Sequence, residues 1–101
     1  MVSITASTAV TATHGPGGGR FFLVLDGHEA ELTYQLLSDR LMVINHTGVP
    51  EAIGGRGVAG VLVKAAFEHA REHGWTVRPA CSYAATWAVR HHADYADVIE
   101  H

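Results

Sequence analysis

Between Leu41 and Trp75 the chain runs from a short apolar stretch (Leu41-Met42-Val43-Ile44) through a polar bend into Gly54-Gly55-Arg56-Gly57-Val58-Ala59-Gly60. A long apolar segment follows, closed by Gly74. A strand feeding a glycine-rich loop that opens a helix constrains the fold more than any other feature here. The spacing predicts a helix from Gly55 or Arg56 to His73, with Gly74 as its stop, then a strand through Trp75, Val77 and Pro79. A helix joining two strands makes them parallel neighbours linked by a right-handed crossover. Val58, Leu62, Ala65 and His69 form the apolar stripe of that helix, and Val61, Ala66 and Phe67 broaden it. Lys64, two helical turns beyond the loop, is expected to face solvent.

The loop is also suited to an anion. Glycines let the backbone approach a ligand, and the first helical turn offers N–H groups at the positive end of the helix dipole. Four glycines within Gly54–Gly60 exceed what one helix cap requires, since each costs conformational entropy on folding. No Gly-Lys-Ser/Thr occurs in the chain, which excludes a nucleotide-triphosphate P-loop, and the dinucleotide pattern G-x-G-x-x-G is absent. A pyrophosphate loop remains. Arg56 can add a charged contact to a phosphate oxygen.

Upstream, Phe21–Leu25 reads as a strand, and Asp26-Gly27 signals a type I′ hairpin. The return strand alternates, with Ala30, Leu32, Tyr34 and Leu36 on one face and Glu29, Glu31, Thr33 and Gln35 on the other. Ser38-Asp39-Arg40 turns the chain into Leu41–Asn45, completing an antiparallel meander. Residues 1–19, rich in Ser, Thr, Ala and Gly, read as a flexible N-terminal tail, with a short strand between Val2 and Val10 as an alternative. Residues 20–101 form the domain. Ser82 is the expected N-cap of a short helix reaching Arg90, and Asp94–Glu100 a final turn docked through Tyr95 and Val98.

At 101 residues the chain supports one core. A net charge of −3, with a single lysine (Lys64), argues against a nucleic-acid partner. One cysteine excludes an internal disulfide, and no apolar run reaches the ~18 residues of a membrane helix. A cytoplasmic, membrane-free protein is expected. Eight histidines raise the question of a metal. His69 and His73 are one turn apart and His91-His92 adjacent, but no H-E-x-x-H or C-x-x-C pattern accompanies them, so no metal site is expected.

The loop and its surroundings resemble the GCN5-related N-acetyltransferase family, whose cofactor loop reads Arg/Gln-x-x-Gly-x-Gly/Ala. Gly57 and Ala59 match the last two marked positions; position 54 is Gly rather than Arg or Gln, and Arg56 is placed to take over that contact. His46-Thr47-Gly48-Val49-Pro50, Ala65-Ala66-Phe67-Glu68-His69-Ala70 and Pro79-Ala80-Cys81-Ser82-Tyr83 are similar to the small single-domain subfamily. His92-Ala93-Asp94-Tyr95 resembles that subfamily's H-P-E-Y segment, with Ala93 in place of proline. The resemblance spans Arg20 to Ile99. It implies an α/β (α+β) fold, a meander followed by a β-α-β unit and a short C-terminal helix. It implies acetyl-coenzyme A as cofactor, bound by Val49, Gly54, Gly55, Arg56, Gly57, Val58, Ala59 and Gly60, and transfer of an acetyl group to an amine. The backbone N–H near Val49 would polarise the acetyl carbonyl.

Ligands of a β-α-β unit bind outside the carboxyl ends of its parallel strands. His46 ends one such strand and Cys81 the other, so both are candidate catalytic residues. Cys81 precedes a helix start whose partial charge favours thiolate, and it could accept an acyl group or handle the proton of the departing thiolate. His46 could serve as its base or as base for the amine. The opposing readings are a buried small hydrophobe and a strand-end histidine bonded to backbone. Tyr83, at the start of its helix, is assigned to the core rather than to protonation of the leaving thiolate. Glu31 is read as a solvated strand carboxylate, and Trp75 and Trp87 as core or cofactor-wall aromatics. The rival function is a coenzyme A-binding sensor or interaction module without turnover, since the chain lacks the N-terminal helices that shape acceptor pockets in larger relatives.

Overall fold

A computed structural model describes residues 10–55 and 57–100. Five strands form one sheet in sequence order: β1 (Thr11–Gly15), β2 (Gly18–Leu25), β3 (His28–Ser38), β4 (Leu41–Gly48) and β5 (Thr76–Pro79). The first four are antiparallel, and β5 joins β4 in parallel, its crossover made by helix α1 (Val58–His73). A single 3₁₀ turn (Glu51–Ile53) precedes the glycine loop, and α2 (Ser82–Arg90) and α3 (His92–Tyr95) follow β5. This is the expected mixed α/β architecture, a meander followed by a β-α-β unit.

The alternation in β3 decides which face is inside. Ala30, Leu32 and Tyr34 are buried, together with Phe21, Leu23 and Leu25 of β2 and Met42 and Ile44 of β4. Asp26 and Gly27 take φ values of 52° and 77°, the pair of left-handed residues that a type I′ turn demands. Helix α1 lies across this apolar face and buries Val58, Leu62, Val63, Ala66, Phe67 and Ala70. Its inner stripe is turned relative to the expected one: Val61, Ala65 and His69 are only half-buried. The cause is a second contact, because Phe67 also packs on Trp87 of α2 and Tyr95 of α3, with ring centroids 5.0 and 5.6 Å apart. Trp87 and Val98 complete that part of the core.

The expected tail does not end at residue 19. Thr11–Gly15 pairs with β2, and Pro16-Gly17 forms the two-residue connection between Gly15 and Gly18. Small side chains cannot order a segment alone, but here the ordering comes from main-chain pairing. The glycine run serves that pairing: a Cβ on Gly18 would overlap the Tyr34 carbonyl, and one on Gly19 the Thr13 carbonyl. Residues 1–9, including most of the alternative Val2–Val10 strand, lie outside the described residues.

The last residues close the opposite edge. Val77 N–H donates to Val98 O at 2.7 Å and Glu100 N–H to Val77 O at 2.9 Å, while Arg78 clasps the Glu100 carboxylate. Arg71 of α1 reaches Asp97 at 3.0 Å and lies over the Tyr95 ring, so Tyr95 and Val98 dock the terminus as the sequence suggested. Tyr95 also donates to Glu68, and burial together with that carboxylate pushes its pKa up to about 12.

Gly74 closes α1 in the left-handed region (φ 72°), its N–H bonded to Ala70 O and Arg71 O. An L side chain there costs roughly 1–2 kcal/mol. Gly74→Ala is therefore expected to lower the midpoint of thermal unfolding by several degrees without altering the far-ultraviolet circular dichroism of the folded state.

Candidate functional site

The site begins with a fault in the sheet. Thr33 of β3 pairs with His46, yet the next residue, Tyr34, pairs with Ile44, leaving Asn45 as an extra residue in β4. Such a bulge bends its strand and resets which side chains face inward. Met42 and Ile44 point into the core before it. After it, Thr47 opposes the buried Leu32 on the inner face, and His46 opposes Thr33 on the outer face.

The same bend opens the parallel pair. Registered pairing of β4 with β5 stops at Ile44 and Pro79, where the Ile44 carbonyl accepts both Ala80 N–H (2.9 Å) and Cys81 N–H (3.1 Å). Strand β4 continues to Gly48 alongside β3, while the other chain turns into α2. Just past the last registered pair, Thr47 Oγ1 and Cys81 Sγ lie 3.4 Å apart.

A cavity of about 200 Å³ is lined by Val49, Gly54, Gly55, Gly57, Val58, Ala59 and Tyr83. Gly55 and Gly57 have φ values of 76° and 77°, which L side chains adopt only with strain. Gly57 is the N-cap of α1 and makes no side-chain cap hydrogen bond, and the first turn carries no acidic residue. The first intrahelical bond runs from Val61 N–H to Gly57 O, so by helix geometry the amides of Val58, Ala59 and Gly60 have no partner within α1. A helix start without a capping side chain or a carboxylate, facing a cavity, fits the diphosphate that the sequence suggested. Arg56 lies outside the described residues.

The fourth loop glycine has a different use. A Cβ on Gly60 would stand 3.4 Å from Tyr83 Oη and 3.6 Å from Trp87 Nε1. Glycine thus lets α2 close on the first turn of α1 and brings a phenol to the cavity. This overturns the core assignment of Tyr83, which is 43% exposed. Tyr83 and Trp87 are one helical turn apart; Trp87 fills the core and Tyr83 reaches the rim.

Cys81 is half-buried and is itself the N-cap of α2, its Sγ accepting Ala84 N–H at 3.4 Å. The expected cap, Ser82, is the first helical residue instead. The thiol caps adequately because the turn out of β5 already holds Cys81 N–H on Ile44. His46 and Cys81 share one end of the sheet, but the bulge sends the imidazole to the exposed outer face, over Gly48. The strand residue meeting the thiol is Thr47, a contact for which spacing alone held no signal. Glu31 is engaged with Arg20, as is Glu29, at 2.9 and 2.8 Å. Among the described residues, no group of three or more His, Cys, Asp or Glu side chains is arranged to hold a metal, and no helix is long and apolar enough to cross a membrane.

A bulged strand parts from its parallel neighbour, and a glycine-loop helix start without a side-chain cap lies in the same α/β domain. The family model for the GCN5-related N-acetyltransferases matches residues 20–98, and the chain belongs to that family. It is 31% identical over 83 residues to Protein NATD1 of Xenopus tropicalis, covering 80% of this chain and 76% of that one. A GCN5-like protein from Staphylococcus aureus, solved in solution by NMR, superposes with a TM-score of 0.66 at 31% identity, covering 95% of this chain and 91% of its own. Enzymes of this family use acetyl-coenzyme A as acyl donor.

Proposed function

We propose that the domain binds acetyl-coenzyme A with its diphosphate on the amides of Val58, Ala59 and Gly60 and the backbone of Gly54, Gly55 and Gly57, and transfers the acetyl group to an amine. The observation that carries this reading is the open start of α1, which has neither a side-chain cap nor an acidic first turn and borders the cavity. Arg56 adds a cation to the loop. The thioester would lie in the cleft between β4 and α2, its carbonyl oxygen facing the Val49 N–H.

The neutral amine nitrogen attacks the thioester carbon. A C–N bond forms, the C–S bond breaks, and the electron pair of that bond leaves on sulfur. Tyr83, at the cavity rim, gives its phenolic proton to the thiolate and recovers one from solvent. The proton released by the new amide nitrogen passes to water, or to His46 for an acceptor arriving over the outer face of β4. Cys81 is a cap and floor residue in this scheme, because its Sγ already serves Ala84 N–H and Thr47 Oγ1. Transfer is direct.

Titration calorimetry with acetyl-coenzyme A tests the binding step, and thiol release on mixing with a panel of amines tests turnover. Micromolar binding is expected, and no detectable binding would refute the proposal. Binding without thiol release from any amine would favour the rival reading, a coenzyme A-binding sensor. Retained turnover in Cys81→Ala, with no acetyl adduct in intact mass spectra of the wild-type chain, is expected of direct transfer; an adduct would assign the thiol the nucleophile's part.

A further inference from the structure

Away from the cleft, three imidazoles from two elements stack against one another. His14 of β1 lies flat on His69 of α1, with ring centroids 4.4 Å apart and planes 16° from parallel, and His69 meets His73 one turn on at 4.1 Å. Trp75 borders both helix histidines at 5.3 and 4.8 Å, and Phe21 of β2 presents its ring to His14 and His69, each at 5.6 Å. His14 Nδ1 is 2.5 Å from Tyr34 Oη of β3.

From this arrangement we infer that protonation of the histidine stack releases β1 from the rest of the sheet, making the N-terminal hairpin a pH-operated latch. Strand β1 is an edge strand whose side chains are all exposed, so past Val10, which packs against the core, it is held by main-chain pairing on one side and by the contacts of His14. Neutral imidazoles stack favourably on one another and on aromatic rings. Protonated ones 4 Å apart repel, and the half-buried setting of His69 opposes its charging.

The groups facing His69 reinforce this. Burial lowers its pKa first, and His73 and His14 lower it further; the carboxylate acting against them is Glu72, on the same helix. From β3 the Tyr34 phenol, which burial keeps protonated, meets His14, and from β2 and the segment after α1 the rings of Phe21 and Trp75 face His69. In the released form the lowering due to His14 and to the burial β1 provides is gone, while His73 stays beside it, so the pKa of His69 is higher in the released form than in the closed one. The latch therefore holds fully above the released-form pKa and weakens as the pH falls through it towards the lowered pKa of the closed form. Below both, nothing further is lost.

Amide exchange measured by NMR on the full chain between pH 7.5 and 5.5, corrected for intrinsic rates, tests the latch. The opening of β1 is expected to rise severalfold over that interval while Leu62 and Ala66 of α1 keep their protection. His69→Phe retains a ring against Phe21 and Trp75 and is expected to flatten the response; His14→Phe provides the same test from the strand side. Opening of β1 that ignores pH would overturn the inference. So would loss of protection in β1 and α1 together, which is unfolding of the whole chain, or an undiminished response in both variants. The wild-type titration decides the matter even where a variant does not fold.

Discussion

Ala59→Glu is expected to abolish measurable binding of acetyl-coenzyme A while leaving the chain as stable as before, or slightly more so. Ala59 is half-buried, lines the cavity and occupies the first turn of α1. A carboxylate there interacts favourably with the helix dipole, by roughly 0.3–1 kcal/mol. Towards a bound diphosphate the same charge is repulsive. Two like charges about 4 Å apart at a protein surface cost roughly 4 kcal/mol, so an affinity loss of about a thousandfold follows. The opposed signs give the test its force. Calorimetry reads the affinity and thermal unfolding the stability; a variant that binds normally would remove the diphosphate from this turn. A purely structural helix start would gain from the acid and lose nothing.

Tyr83→Phe is expected to lower kcat by about 10²–10⁴-fold, the range for removing a positioned proton donor, with little change in acetyl-coenzyme A affinity. The ring stays on the rim beside Gly60, so the packing of α2 on α1 is preserved. Only the proton for the leaving sulfur is lost. Solvent-exposed aromatic carbon has no such effect on the chemical step, so a variant with unchanged kcat would return Tyr83 to a wall of the cavity. An acyl donor carrying a more acidic thiol should recover much of the lost rate, because its sulfur leaves without protonation.

Both predictions concern residues whose positions were legible to different degrees. Ala59 was readable because the glycine loop, the strand before it and the helix after it are consecutive in sequence, and local geometry determines where the first-turn amides point. Tyr83 was not, since its exposure depends on how far the core extends between α1 and α2. Gly60, read as part of a phosphate loop, is the residue that admits that approach. Likewise, His46 and Cys81 were rightly placed at one end of the sheet by the rule for parallel strands, but their facing depended on one unpaired residue, Asn45, that no periodicity announced. The segment Thr11–Gly15 shows the same limit: a strand held by an edge partner and one stacked imidazole has no hydrophobic pattern of its own.

What the chain's residues determine by themselves is therefore the set and order of the elements from β2 onward: a meander, a crossover helix opened by glycines, and a parallel return. Those follow from hydrophobic period, turn chemistry and chain handedness, which act over a few neighbours. Which side chains meet was left to the tertiary structure. The bulge in β4, the closure of α2 over Gly60 and the docking of β1 on His69 each join residues distant in sequence, and their outcome depends on packing that no local preference encodes.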